Sequence, residues 1–262
     1  MPNFNKEVFL RDVGVSANLI GMFSRVNRTR YTVSNIPDIR DRIDEFIDYD
    51  KSLFSKALDD ICNNIVGNTM FTLLMMNLPP DQKLRIINIG PEEAKEPLVK
   101  QIDGSYAMHV VKINLNVYDS SDVGIPDRQY YCIDENCNIT LKLKSLSGSL
   151  FHEFTHCLHH MENACKYKED NDKKQFRHNP WYTAEECRTI SGDLSIYRIV
   201  NHDPICDNCF DLYNSIVKKI PYCPRIGHWE YRSDKPRRDK RLQQFYKNLY
   251  FDLAWPRKYV IE

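Results

Sequence analysis

Between residues 36 and 76 the apolar positions recur at helical spacing: Ile39, Ile43, Phe46 and Ile47, then Leu53, Leu58, Ile61 and Ile65. The pattern predicts two helices with a break near Asp48-Tyr49-Asp50. Leu78-Pro79-Pro80 ends that section, because proline has no backbone donor to continue a helix. The period then changes to two. Arg85-Ile86-Ile87-Asn88-Ile89 is a short strand candidate, Val111, Ile113, Leu115 and Val117 alternate within residues 107–118, and residues 139–144 alternate again. Residues 130–139 read as a hairpin turning at Asp134-Glu135-Asn136.

An apolar helix over residues 147–165 follows, then a charged loop over 166–174, a helix from near Tyr182, and a third over 203–219. Pro204 suits the entry of that last helix, and Phe210, Leu212, Ile216 and Val217 form its stripe. A sheet placed before several helices is an α+β arrangement. We read one domain over residues 1–262, mostly helical over 1–80, with a small mixed sheet and the later helices in 81–262.

Composition narrows the partners. A 42% hydrophobic and 27% charged chain of 262 residues is that of a globular protein with a sizeable core. The 36 basic and 36 acidic residues cancel, which argues against a nucleic-acid or membrane-surface binder. The longest apolar run, residues 69–78, is too short for a membrane span. The N-terminus lacks the basic segment and apolar core of a cleavable signal peptide. Nine cysteines, at spacings that suggest no disulfide framework, indicate a reducing compartment. Export by a route that needs no cleavable signal is equally compatible.

The segment His152-Glu153-Phe154-Thr155-His156 lies inside the apolar run of the predicted helix. Two histidines four positions apart share one helix face, about 5.4 Å apart along the axis. They can hold one zinc ion, with Glu153 beside it as general base. A catalytic zinc takes three protein ligands and leaves a position for water. The best third candidate is a glutamate in Thr183-Ala184-Glu185-Glu186-Cys187-Arg188, on a helix that a loop can return antiparallel to the first. His159 lies near the same face as His152, and His159 or Glu185 suits the task of orienting a ligating histidine. Arg188 suits a brace to a carboxylate.

The two segments together, H-E-x-x-H followed by Glu185-Glu186-x-Arg188-Thr189-x-x-Gly192, resemble the zinc-binding segments of clostridial neurotoxin light chains. They are also similar to the NleD-like bacterial effector metalloproteases, which match better in chain length and in segment spacing. The resemblance implies a zincin-type fold, with Glu186 as third zinc ligand and Glu185 supporting the site. It implies an oxyanion donor C-terminal to the ligands, within Ile220-Pro221-Tyr222-Cys223-Pro224-Arg225-Ile226-Gly227-His228-Trp229-Glu230-Tyr231. Tyr231 and Arg225 are the choices, with Tyr222 and His228 as alternates. It further implies a zinc endopeptidase delivered into host cytosol, acting on a host protein, a stress-activated MAP kinase in that family. A bacterial cytoplasmic enzyme is the other location.

Three other readings stand beside this one. The chain is a zinc peptidase with an unrelated substrate, or an interaction protein whose metal site has degenerated. The pairs Cys132/Cys137 and Cys206/Cys209 are able in principle to hold a structural zinc, although reduced cysteines packed as small hydrophobes are the preferred reading. The basic cluster at 236–241 reads as a solvated loop, and the Tyr-rich tail (Tyr246, Tyr250, Phe251, Trp255, Tyr259) as packing.

Overall fold

In a computed structural model, the residues described are 3–23, 38–46, 51–78, 82–88, 110–113, 118, 129–134, 136, 138–172, 183–192, 203–228, 248 and 255–262. Strand β1 (Asn3–Phe4) and helix α1 (Lys6–Phe23) open the chain. A 3-10 turn (Ile39–Arg42) runs into β2 (Ile43–Phe46), followed by helices α2 (Lys51–Asn63) and α3 (Ile65–Asn77). Strands β3 (Leu84–Asn88), β4 (Val110–Ile113), β5 (Gln129–Ile133) and β6 (Ile139–Leu143) come next. Helices α4 (Leu146–Glu162), α5 (Ala164–Asp172), α6 (Ala184–Ser191) and α7 (Asp207–Lys218) follow. Strand β7 (Arg225–His228), a 3-10 turn (Trp255–Tyr259) and β8 (Val260–Ile261) complete the order.

The class is α+β, as the order of patterns predicts, but the expected single mixed sheet is corrected. The described strands form two separate three-stranded sheets: β2-β3-β4, all parallel, and β6-β5-β7, all antiparallel. The third strand of the second sheet comes from beyond the helices. β1 and β8 pair separately and bring the two ends of the chain together.

Two corrections in the N-terminal part trace to named side-chain hydrogen bonds. The first predicted helix is a 3-10 turn and a strand. Asp38 accepts the Arg40 backbone N–H at 2.9 Å, and Arg42 donates to the Gln82 carbonyl at 2.6 and 3.0 Å. That anchor lays Ile43 beside Leu84 in parallel register. Eight residues satisfy both periods, and the neighbouring strand decides between them. The second predicted helix divides at Asn64. Its Oδ1 accepts the backbone N–H of Val66 (2.8 Å) and Gly67 (3.2 Å), while its Nδ2 donates to the Phe210 carbonyl at 3.0 Å. One side chain thus starts α3 and ties it to α7. The predicted break at 48–50 lies outside the described residues.

The charged stretch read as a loop is mostly the helix α5. Asn163 caps it by accepting the Lys166 N–H at 3.0 Å, and Lys166 pairs with Asp170 one turn on at 2.8 Å. The hairpin holds as predicted: β5 and β6 pair in register, and Asp134 accepts the Asn136 and Asn138 N–H groups across the turn.

One buried cluster joins α2, α3, α4 and α7. Phe151 stacks on Phe210 at 4.4 Å between ring centroids, and Phe154 meets Phe71 at 5.3 Å. Such aromatic pairs contribute about 1 kcal/mol each beyond the area they bury. Among the described residues, no helix is long and apolar enough to cross a membrane. Of the aromatic tail, Tyr259 is fully buried against Phe4 and Phe9. The basic cluster at 236–241 lies outside the described residues.

Candidate metal centre

Ser145 caps α4, its Oγ accepting the Gly148 N–H at 3.0 Å. Leu150, Phe151, Phe154 and Leu158 bury the apolar face of that helix and so fix its rotation. The opposite stripe, His152, His156 and His159, is thereby turned toward α6 and α7. Helix α6 is short and bounded at both ends. Thr183 Oγ1 accepts the Glu186 N–H at 3.1 Å, and Gly192, at φ 75°, closes it in the left-handed region that glycine enters without strain. This places Glu185 and Glu186 in its first turn.

His152, His156 and Glu186 converge, with one candidate ligand atom from each lying within 4.8 Å of the others. His152 Nε2 and His156 Nε2 are 3.1 Å apart, and the Glu186 carboxylate oxygens lie 3.5 Å from the first and 3.3 Å from the second. Among the described residues this is the one such group of histidine, cysteine and acidic side chains. Two imidazole nitrogens and a carboxylate oxygen suit zinc. The far side of each ring agrees. His152 Nδ1 lies 2.8 Å from Asp207 Oδ2, and His156 Nδ1 lies 3.1 Å from Glu185 Oε1. Each carboxylate fixes the Nδ1–H tautomer and leaves Nε2 free to coordinate. The residues present fit the ion.

Behind the ligands the charges are closely balanced. Glu185 Oε1 also takes His159 Nδ1 at 2.6 Å and the Thr189 hydroxyl at 3.2 Å. Arg188 donates to Glu162 and Asp203, both at 3.3 Å, which is the bracing part expected of it. Burial works to raise Asp207, but Arg225 and His152 override it and hold the carboxyl at about 2. Burial likewise opposes protonation of His152 and His156. Asp207 for the first and Glu186 for the second outweigh it, so both rings stand above the usual histidine range. Glu162 is pushed up to about 7 by burial and by Asp203.

Arg225, expected as an oxyanion donor, is placed elsewhere. It is 3% exposed, and its Nη1 donates to Asp207 at 2.9 Å while Nε and Nη2 donate to Asp211 at 2.6 and 3.2 Å. Its guanidinium carbon lies 4.5 Å from the centre of the Tyr130 ring. Asn208 clamps its backbone, accepting the Arg225 N–H at 2.7 Å and donating to its carbonyl at 3.2 Å. Arg225 therefore stands behind Asp207, on the side of His152 away from the ligand atoms. The alternate Tyr222 packs against the core, near Cys206 and Cys209. His228 lies in β7 opposite Tyr130, and Tyr231 lies outside the described residues.

No protein-family model, curated protein or solved structure matches the chain.

Three side chains at the centre escaped the sequence. Asp207 lies inside the helix predicted over 203–219 and was not singled out; its signal is an acidic residue in the first turn of a helix following a histidine-rich one. Tyr167 sits in the stretch read as loop, with its ring edge-on to His156 at 6.2 Å between centroids. Lys144 precedes the cap of α4 and is buried, and burial and Arg225 lower its pKa against the pull of Asp207, Glu186 and Glu153. Of the cysteines weighed for a structural zinc, Cys132 stands with Cys223 and Cys206 with Cys209, while Cys137 lies outside the described residues.

Proposed function

We propose that the chain is a zinc-dependent endopeptidase of zincin type, with His152, His156 and Glu186 holding the metal and Glu153 as general base. The convergence of two Nε2 atoms and a carboxylate, each imidazole backed by its own acid, carries this reading. When bound there, zinc supplies Lewis acidity and lowers the pKa of water to about 7.

The chain's own groups do the rest. Glu153 directly follows His152 in α4 and is half-buried, which leaves it access to solvent. It takes a proton from the attacking water and passes it to the leaving amine. Asp207 and Glu185 hold the imidazoles in register throughout. With Arg225 engaged behind His152, the donor to the developing oxyanion is Tyr231, on the resemblance to the NleD-like enzymes.

That resemblance supplies the substrate class: a host protein, of the stress-activated MAP kinase type, reached after delivery into host cytosol. The test is to incubate zinc-loaded wild type and Glu153→Gln, matched for metal content, with eukaryotic cell lysate and with the purified kinase, and to map new N-termini by mass spectrometry. The expected result is new termini with wild type, including the kinase activation loop, and none with the variant. New termini only in other proteins indicate a zinc peptidase of different specificity. None at all, with zinc bound, indicates an interaction protein.

A further inference from the structure

Cys132 and Cys223 face each other across neighbouring segments of the β6-β5-β7 sheet. Cys132 lies in β5, and Cys223 stands just ahead of β7, next to Pro224, whose carbonyl accepts the Ile133 N–H at 3.0 Å. The β5–β7 register shifts at Tyr131/Cys132 and sets Cys132 opposite Arg225. Each thiol lies close enough to the other to perturb its ionisation. Thr140 of β6 closes the group, its Oγ1 3.0 Å from the Cys132 sulfur. Cys132 has no exposed surface, whereas Cys223 is half-buried.

We propose that Cys132 and Cys223 are a peroxide-sensitive pair that closes into a reversible disulfide, stapling β5 to the segment that carries Arg225. The site is independent of the peptidase reading. No other described cysteine combines a thiol partner with an opening to solvent. Cys206 and Cys209 also contact each other, but both are wholly buried. Cys165 is exposed and enters no thiol contact described for the chain.

The chemistry balances with peroxide as the oxidant. One thiolate of the pair attacks a peroxide oxygen, breaking the O–O bond and giving a sulfenic acid and one water. The second thiol then attacks that sulfur and expels the hydroxyl as a second water. Two thiols lose two electrons and two protons, and the peroxide is reduced to two waters. Cys132 is the favoured thiolate of the pair: its contacts with Cys223 and Thr140 lower it to about 7 against burial, whereas the contact with Cys132 and burial raise Cys223. The bridge takes no group from the metal centre. It fixes the backbone two residues ahead of Arg225, and Arg225 holds Asp207 against His152.

The test is to treat the purified full chain with a small excess of hydrogen peroxide, alkylate the remaining thiols, digest without reduction and map the peptides by mass spectrometry. The expected product joins the Cys132 peptide to the Cys223 peptide, two hydrogens lighter than the separate pair, and dithiothreitol returns both thiols. Cys223→Ser abolishes this product. Three wild-type outcomes would overturn the proposal: both cysteines recovered alkylated, Cys223 driven to the sulfinic acid without bridging, or Cys223 joined to a cysteine other than Cys132.

Discussion

Asp207 Oδ2 lies 2.8 Å from His152 Nδ1 and 2.9 Å from Arg225 Nη1, so one carboxylate orients a candidate metal ligand and neutralises a buried guanidinium. Asp207→Asn keeps the shape and removes the charge. The imidazole loses its fixed tautomer, and zinc affinity falls roughly 10- to 100-fold, the usual cost of losing an outer-shell carboxylate. Arg225 is left with Asp211 alone, and the fold loses roughly 3 kcal/mol, as for a broken buried pair. Zinc competition against a chromophoric chelator and urea unfolding measure the two effects separately. Wild-type affinity in the variant would remove Asp207 from the metal centre.

Glu185 and Glu186 are adjacent in sequence and differ in what they face. Glu186 reaches both Nε2 atoms, whereas Glu185 reaches the Nδ1 atoms of His156 and His159. Glu186→Ala therefore takes zinc below stoichiometric occupancy at micromolar metal. Glu185→Gln leaves a bound ion held roughly tenfold more weakly. Elemental analysis after gel filtration separates the two, and the reverse order would exchange their roles.

The candidate metal centre was legible where chemistry is local in the chain. The spacing of His152 and His156 places them on one helical face, and Thr183 and Gly192 mark the ends of the helix that brings in Glu186. Asp207 was not legible, because its place beside His152 follows from the packing of α7 on α4, fixed in part by Phe151 on Phe210. The same holds for Arg225, whose ion pairs lie 14 and 18 positions back in the chain on another element. In the N-terminal part of the fold, the errors fell where a long-range partner overrode a short pattern: the Gln82 carbonyl anchored Arg42 and so laid Ile43 into a sheet, and Phe210 and Asn214 engaged Asn64 at a helix break.

Gly67 sits in the first turn of α3, beside the end of α2. A Cβ built there meets the Ile61 carbonyl oxygen and side chain at distances no real contact keeps, and backbone cannot swing aside as a flexible side chain does. Gly67→Ala, although it favours helix intrinsically, therefore destabilises the protein by roughly 1–3 kcal/mol through overpacking. The urea midpoint measures the loss. A midpoint at or above wild type would mean that the junction of α2 and α3 relaxes freely.

Asp12 in α1 holds the C-terminal segment, accepting from the Lys258 ammonium at 2.6 Å and the Tyr259 hydroxyl at 3.0 Å. Burial acts to raise its carboxyl, but the bonds from Lys258 and Tyr259 prevail and keep it below the usual aspartate range. Unfolding restores the ordinary value of about 3.9, so at acid pH the unfolded chain binds the proton first. The stabilisation is therefore complete above about pH 4 and is lost as the pH falls through the lower folded value. The change belongs to the Asp12 carboxylate. Asp12→Asn removes this dependence, and at neutral pH it costs up to about 1 kcal/mol, the range of partly exposed ion pairs. Urea unfolding of both proteins at pH 7 and at pH 3 measures it: the gap between them should narrow at the lower pH. A gap that stays constant would show that the charge on Asp12 does not hold the two ends of the chain together.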